Sequence, residues 1–315
     1  MNGKNQTLKT TFAAAIENYK KRDFKTAEIY CYKILSIDPN HFDSISMLAS
    51  ISALNSNFNK AMELLKKAIE VQPNNTRALH NLGTAYKELG KLNEAINYYK
   101  QVLQIDPKHT IAHYNLGLVF HKLNELKKAK SYLKKATEIQ NNYGLAFFCL
   151  AKVHIDLKEF NNAVSCYHKA IEINPNHASA HNNLGLVYRE LNDLQNAINC
   201  YKKAIEIEPA HAGPHHNLAI AFKEVGEFEK AIKSHQAAIK YEPENSAHYY
   251  YLSELKKDTL NPSLKNKILK IIINNKSTEE NVAFGNYLLA KYERKKKNYE
   301  NELNYLIKGH RSFFI

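Results

Sequence analysis

Proline recurs along this chain at a fixed interval of 34 residues, and this period constrains the fold more than any other feature. The positions in phase are Pro39, Pro73, Pro107, Asn141 in place of proline, Pro175, Pro209 and Pro243. A fixed period of this size indicates a repeat array, in which each unit must stack on its neighbours to bury its apolar side. We therefore expect little room for a separate catalytic domain of ordinary size.

The period divides the chain into seven predicted units, which span residues 8–245 of the 315. Their boundaries are 8–41, 42–75, 76–109, 110–143, 144–177, 178–211 and 212–245. Residues 1–7 are predicted to form an N-terminal head. Residues 246–315 are predicted to form a degenerate repeat and a helical cap or linker.

Small residues occupy two further positions of the period. Twelve residues before each proline position the residue is alanine in all seven units: Ala27, Ala61, Ala95, Ala129, Ala163, Ala197 and Ala231. Twenty-four residues before it the residue is again small: Ala15, Ala49, Gly83, Gly117, Ala151, Gly185 and Ala219. Small residues at fixed places allow two helix backbones to approach closely.

Two units carry the full pattern of the period. The third unit reads Leu79-x2-Leu82-Gly83-x2-Tyr86, then Ala95-x3-Tyr99, then Pro107. The sixth unit reads His181-x2-Leu184-Gly185-x2-Tyr188, then Ala197-x3-Tyr201, then Pro209. This pattern resembles the tetratricopeptide repeat, a helix-turn-helix unit. The resemblance implies an all-α fold, a right-handed α-solenoid of about seven such units with a C-terminal helical cap.

The residues between the two helices of a unit agree with this assignment. Gly90, Asn124, Asn192 and Gly226 occupy one equivalent position. Glycine and asparagine best tolerate the left-handed backbone conformation that ends a helix. Proline then marks the end of the second helix, because it cannot continue one.

Composition limits the location of the protein. The start of the chain has only the short apolar run 12–16, and no stretch approaches the roughly 20 apolar residues that span a bilayer. The four cysteines, Cys31, Cys149, Cys166 and Cys200, form no Cys-x-x-Cys pair. We therefore predict a cytoplasmic protein with reduced thiols and no membrane partner.

The formal net charge of +13 raises the question of an acidic partner. A basic surface can bind nucleic acid or acidic proteins. The chain is, however, rich in lysine, asparagine and isoleucine together, as AT-rich coding sequence would produce. We therefore predict that nucleic acid is not a specific partner, and that the run 294–297 is a solvated turn between helices.

The first helices of the units carry the candidate binding site. The resemblance implies that they line a concave surface, and solenoids use such surfaces for binding. One asparagine recurs in phase on this face, as Asn81, Asn115, Asn183 and Asn217. A side-chain amide can pair with both the C=O and the N–H of an extended backbone. The series resembles the asparagine ladder of O-linked N-acetylglucosamine transferases, which implies capture of a polypeptide ligand.

An alternative interpretation of the asparagines stays open at this point. Structural amides could bridge adjacent first helices instead of contacting a ligand. Six further residues share the predicted groove face: Arg77, Thr84, Lys87, His121, Arg189 and Lys223. The cations among them could attract an acidic ligand by about 1 kcal/mol or less each while exposed. Glutamates alternate with these cations and weaken any charge selectivity.

No catalytic constellation is recognisable in the sequence. Most of the fifteen histidines are explained by repetition; for example, His113, His181 and His215 share one repeat position. There is no His-Glu-x-x-His motif, no Gly-x-Ser-x-Gly motif and no phosphate-binding loop. We therefore predict no enzyme activity, no cofactor and no metal site for this chain.

The C-terminal segment carries a second resemblance. The stretch 289–311 matches a degenerate repeat in which Glu302 stands at the alanine position. It is similar to the linker that precedes the catalytic domain of bacterial tetratricopeptide sulfotransferases. If that likeness holds, the enzyme lies beyond Ile315 or has been lost, and the apolar residues 313–315 are a plausible contact for it.

The sequence thus predicts a non-catalytic scaffold that binds an extended polypeptide of unknown identity. The alternative is the substrate-recruiting part of a sulfotransferase or, less favoured, a glycosyltransferase. Self-association is left open, because solenoid edges often self-associate and no feature of the sequence decides it.

Overall fold

A computed structural model of the chain describes residues 2–274 and 276–313. The described residues form eighteen α-helices, a 3-10 turn at Lys257–Thr259 and no strand, so the predicted all-α class of stacked helix-turn-helix units is confirmed. The helices are α1 (Asn2–Lys20), α2 (Phe24–Ile37), α3 (Phe42–Leu54), α4 (Phe58–Val71), α5 (Thr76–Glu88), α6 (Leu92–Ile105), α7 (Thr110–Lys122), α8 (Leu126–Ile139), α9 (Gly144–Asp156), α10 (Phe160–Ile173), α11 (Ala178–Glu190), α12 (Leu194–Ile207), α13 (Ala212–Glu224), α14 (Phe228–Tyr241), α15 (Ser246–Leu255), α16 (Pro262–Ile273), α17 (Glu279–Lys295) and α18 (Tyr299–Phe313). The contact proposed for residues 313–315 falls largely outside the described residues.

The helices divide into two compact units, which we describe separately. Unit 1 covers residues up to Leu157 and contains α1 to α9. Unit 2 begins at Lys158 and contains α10 to α18. Helix α1 already begins at Asn2, so residues 2–7 are helical and continuous with the first helix of the array.

The turns between paired helices repeat one backbone conformation. Gly90, Asn124, Asn192 and Gly226 all have positive φ, as the sequence predicted. Three further residues at the same repeat position also do, although their side chains give no such signal: Arg22, Ser56 and Lys158. The spacing of the helices therefore requires the left-handed conformation, and glycine or asparagine only lowers the free-energy cost of adopting it.

The two small positions of the period lie in the core. All seven alanines at the first position have no exposed surface. At the second position, an added Cβ on Gly83 would lie 2.8 Å from Tyr99 Cε1, and one on Gly185 would lie 2.6 Å from Tyr201 Cε1. The rings of these two tyrosines fill the space beside the glycines, which explains the close approach of paired helices.

The C-terminal segment breaks the 34-residue spacing. Helix α15 has only ten residues, and α16 begins with Pro262 after the N-cap residue Asn261. The predicted turn at 294–297 is shorter than expected, because α17 continues through Lys295 and the positive φ falls at Lys297. Glu302 is buried at the alanine position, where it accepts a hydrogen bond from Arg294 Nε at 2.6 Å.

Candidate functional site

The ten predicted groove residues all lie on the first helices of their repeats, namely α5, α7, α11 and α13. Unit 1 holds six of them: Arg77, Asn81, Thr84, Lys87, Asn115 and His121. Unit 2 holds the other four: Asn183, Arg189, Asn217 and Lys223. Their contacts can therefore be compared between the two units.

In unit 1, a histidine connects the two in-phase asparagines. Asn115 Nδ2 donates to His80 Nε2 at 2.9 Å, across from α7 to α5. His80 Nδ1 in turn lies 3.4 Å from Asn81 Oδ1. Burial lowers the pKa of His80, so the ring is neutral at pH 7 and Nε2 can accept while Nδ1–H donates.

Unit 2 repeats this arrangement with an asparagine in place of the histidine. Asn217 Nδ2 on α13 donates to Asn182 Oδ1 on α11 at 2.9 Å. Asn182 Nδ2 donates to Asn183 Oδ1 at 3.3 Å. His80 and Asn182 occupy the same repeat position, immediately before the in-phase asparagine. We call each set, Asn81–His80–Asn115 and Asn183–Asn182–Asn217, an amide relay.

The relays bear directly on the two interpretations of the asparagines. Asn115 and Asn217 do bridge adjacent first helices, as the structural interpretation expected. Each relay, however, uses only Oδ1 of its first asparagine and only Nδ2 of its last. It leaves the Nδ2 donors of Asn81 and Asn183, and the Oδ1 acceptors of Asn115 and Asn217, outside the relay.

Four of the predicted basic residues of the groove, Lys87, His121, Arg189 and Lys223, lie beside carboxylates. Lys87 Nζ is 3.1 Å from Glu88 Oε1, and Arg189 Nη2 is 3.9 Å from Glu190 Oε1. The other two pair with residues of the next first helix, His121 Nε2 with Asp156 Oδ2 at 2.5 Å and Lys223 Nζ with Glu254 Oε2 at 2.8 Å. These contacts reduce the positive field available to an acidic ligand.

A cavity of about 500 Å³ opens on unit 1 between α1, α3 and α5. Asn81 and Arg77 line it, together with apolar side chains that include Phe12, Phe42 and Met47. Thr84 lines a smaller cavity of about 290 Å³ beside Asn81, and its Oγ1 lies 3.1 Å from Tyr99 Oη. Three of the predicted groove residues therefore border concave surface in unit 1.

A larger cavity of about 730 Å³ opens on unit 2 between the N-terminal halves of α13, α15 and α17. Asn217 lines it, as do His216, His248 and Phe284. His248 Nδ1 lies 3.2 Å from His216 Nδ1, and the ring centroids of His216 and His235 lie 5.4 Å apart. This histidine cluster was not identified from the sequence, because its members lie on three different helices.

Burial keeps the histidine cluster neutral. Burial lowers the pKa of His216 to about 4 and that of His235 to about 3, and repulsion between two protonated rings would add to both shifts. The pKa of His248 is also lowered by burial, although Glu242 opposes that shift. Neutral imidazoles can share the 3.2 Å contact, since one nitrogen donates and the other accepts.

Histidines at another repeat position have a structural role. His113 Nε2, His181 Nε2 and His215 Nε2 each lie 2.9–3.0 Å from the carbonyl oxygen of the repeat proline six residues earlier. Tyr249 makes the same contact with Pro243 at 3.0 Å. The side chain thus satisfies a turn carbonyl, which accounts for the repetition without a metal. Within residues 2–274 and 276–313, no cluster of three or more His, Cys, Asp or Glu could hold a metal ion.

Family models identify the repeat. Models described as TPR repeat match residues 83–124 and 151–191, and models described as tetratricopeptide repeat match residues 111–143, 178–211 and 200–233. This chain is a tetratricopeptide repeat protein. A model described as anaphase-promoting complex, cyclosome, subunit 3 also matches this repeat protein, at residues 20–102. A search of curated proteins found no match.

Solved structures agree with that assignment. The tetratricopeptide repeat array is similar to MamA, with 26% identity over 54% of this chain and 93% of MamA and a TM-score of 0.51. It is similar to YrrB, described as a TPR protein with an unusual peptide-binding site, with 25% identity over 58% of this chain and 94% of YrrB and a TM-score of 0.52. A C-terminal part of a TPR repeat-containing protein from Cytophaga hutchinsonii shares the fold at 16% identity, covering 76% of this chain and 98% of its own, with a TM-score of 0.62. In the part of the chain that the structure describes, no helix has the length and apolar character needed to cross a membrane.

Proposed function

We propose that this tetratricopeptide repeat protein is a scaffold that binds extended polypeptides on the first-helix faces of its units. The amide relay is the observation that carries the proposal. It holds the side chains of two asparagines that lie one repeat apart. The Nδ2 donor of the first asparagine and the Oδ1 acceptor of the second take no part in the hydrogen bonds of the relay. An extended backbone offers the complementary C=O and N–H groups.

Two further observations support this proposal. Asn81 borders the cavity of unit 1, and Asn217 borders the cavity of unit 2, so each relay has an asparagine at a concave surface. YrrB, which has a similar structure, is described as having a peptide-binding site. Side-chain amides would bind the backbone of the ligand and not its side chains, so we expect the protein to bind peptides of many different sequences.

The proposal is tested by removing the donors that the relays do not use. We expect Asn81→Ala to weaken binding by unit 1, and Asn183→Ala to weaken binding by unit 2, about fivefold each. One lost hydrogen bond is worth about 1 kcal/mol, which gives that factor. The measurement is binding of the purified chain to an array of random fifteen-residue peptides, followed by titration of the strongest ones.

The control is a pair of asparagines on second helices. Asn97→Ala on α6 and Asn199→Ala on α12 replace exposed side chains of the same type away from the relays. Peptide binding that is equally strong in the Asn81→Ala/Asn183→Ala double variant and in the control would overturn the proposal. Circular dichroism of both variants confirms that the helices are retained.

The sequence also makes predictions that do not concern peptide binding. The likeness of residues 289–311 to a sulfotransferase linker rests on the sequence alone; α17 and α18 pack against each other as the paired helices of the array do. A role as the recruiting part of a transferase, a cytoplasmic location and self-association therefore stay predictions, as does the division into seven repeats with head and cap.

A further inference from the structure

The cavity of unit 2 has an acidic rim. Three carboxylates line it, those of Glu242, Glu244 and Glu280, against the single ammonium group of Lys276. Glu242 follows α14, Glu244 lies in the loop before α15, and Glu280 lies in the first turn of α17. The carboxylates thus reach the cavity from different elements, and the cavity is locally negative although the chain as a whole is positive.

The polar groups that contact Glu242 carry no positive charge. Its Oε2 accepts a hydrogen bond from Asn245 Nδ2 at 3.1 Å and lies 3.3 Å from His248 Nε2. His248 is almost fully buried, and burial lowers its pKa, so its ring is neutral at pH 7. These contacts orient the Glu242 carboxylate without cancelling its charge.

The walls of the cavity are tied together by hydrogen bonds. Asn281 Oδ1 on α17 accepts from the backbone N–H of Ser246 at 2.6 Å, and Asn281 Nδ2 donates to the carbonyl oxygen of Glu244 at 2.8 Å. These bonds join α17 to the loop before α15 and place the ring of Phe284, one turn further along α17, in the cavity lining. A cation held by the carboxylates can therefore also lie against an aromatic ring.

We propose that this cavity receives a lysine or arginine side chain of the bound peptide. The inference rests on the proposed function, because Asn217 lines the same cavity and would hold the backbone of that peptide. The negative charge of the rim favours a cationic side chain as the occupant of the cavity. Three carboxylates, an aromatic ring and neutral histidines form a site for an organic cation, and an acidic side chain would face repulsion from the rim.

The net charge of the chain makes this inference sharply testable. With 44 Lys and Arg against 31 Asp and Glu, the molecule repels a basic peptide at long range. A preference for such a peptide over a neutral one must therefore come from a local acidic site. The probes are the ten-residue peptide of alternating glycine and arginine and the matching peptide of alternating glycine and glutamine, each labelled with fluorescein.

The experiment compares the full chain with two triple variants. Glu242→Gln/Glu244→Gln/Glu280→Gln neutralises the rim. Glu172→Gln/Glu206→Gln/Glu229→Gln makes the same change of net charge on exposed positions of α10, α12 and α14. We expect the arginine probe to bind the full chain at least tenfold more tightly than the glutamine probe, and we expect this preference to be lost in the rim variant and kept in the control.

Three outcomes separate this inference from the proposed function. A tenfold preference lost only in the rim variant supports the inference. Binding of both probes with equal affinity, reduced by Asn217→Ala but not by the rim variant, overturns the inference and leaves the proposed function standing. No binding of either probe, together with no binding to the random peptide array, overturns both.

Discussion

At the scale of the residue, the same side chain meets different environments at equivalent positions of the repeat. Tyr99 and Tyr201 are both fully buried, and burial raises the pKa of both hydroxyls. Tyr99 Oη lies 3.1 Å from Thr84 Oγ1. The sixth repeat has Leu186 where the third has Thr84, and Tyr201 Oη has no hydrogen-bond partner among the described residues.

This difference predicts opposite effects of one substitution at the two sites. We expect Tyr99→Phe to lower the free energy of unfolding by about 1 kcal/mol, because Thr84 loses its buried partner. Tyr201→Phe should leave it unchanged or raise it, because the substitution removes an unpaired buried hydroxyl. Urea unfolding of the two variants measures both values. A larger loss at Tyr201 than at Tyr99 would contradict the prediction.

The candidate site was predictable from single residues only in part. The phase of the period placed Asn81 and Asn183 on the first-helix face without any structure. It did not reveal His80 and Asn182 as the groups that connect each asparagine to the next repeat. Periodicity identifies the face on which a side chain lies, but not which side chain it meets on a helix 34 residues away.

At the scale of the element, a small residue on the first helix of a pair allows close packing against the side chain sixteen positions later on the second helix. Gly185 on α11 faces Tyr201 on α12, and the second repeat holds Ala49 and Leu65 at the same two positions, both buried. The sixth repeat thus combines glycine with tyrosine, and the second repeat combines alanine with leucine. The other two combinations also occur, Gly117 with Leu133 and Ala151 with Tyr167, so the larger residue does not by itself set the identity of the small one.

The close contact between Gly185 and Tyr201 predicts that a substitution at one residue can be rescued by a substitution at the other. We expect Gly185→Ala to lower the free energy of unfolding by about 1–3 kcal/mol, because the new Cβ would lie 2.6 Å from Tyr201 Cε1. The double variant Gly185→Ala/Tyr201→Leu, which copies the second repeat, should recover part of that loss. Thermal or urea unfolding gives the comparison. Losses that simply add in the double variant would show that the pair is not coupled.

Local rules predicted most of the elements. The paired helices of residues 8–245 were predictable from the repeated proline, the turn glycines and the regular spacing of the alanines. Residues 246–315 were predicted as a degenerate repeat with a helical cap or linker, and the basic run 294–297 was interpreted as a turn, although its first two residues belong to α17. The buried partner Glu302 on α18 allows Arg294 to remain in the last turn of α17.

At the scale of the whole molecule, buried neutral histidines make stability depend on pH. Burial lowers the pKa values of His80, His216, His235 and His248 below the ordinary histidine value of about 6.5, to about 4 for His216 and about 3 for His235. Below pH 6.5 the unfolded chain therefore binds more protons on these rings than the folded chain does. Their contribution is therefore complete above pH 6.5 and is lost as pH falls towards the folded pKa values.

This linkage predicts a loss of stability in mildly acidic solution. Between pH 6.5 and 5 we expect His216 and His235 each to cost up to about 1.4 kcal/mol of unfolding free energy per pH unit. His235→Phe should reduce the difference in unfolding free energy between pH 7.5 and pH 5 by about 1–2 kcal/mol. Urea unfolding at the two pH values provides the test. Equal pH dependence of the variant and the parent chain would contradict the prediction.

The sequence by itself determined the repeat, the helix pairs and the all-α class, and it predicted the helix face on which we propose that a ligand binds. These properties follow from local periodicity, because spacing along the chain fixes which residues share a helix face and where a helix must end. Only the tertiary structure decided that the asparagines act in relays, that four of the basic groove residues have carboxylate partners, and that an acidic cavity with neutral histidines opens on unit 2. Those features depend on distances between side chains of different helices, and such distances are set by packing and not by spacing in the sequence.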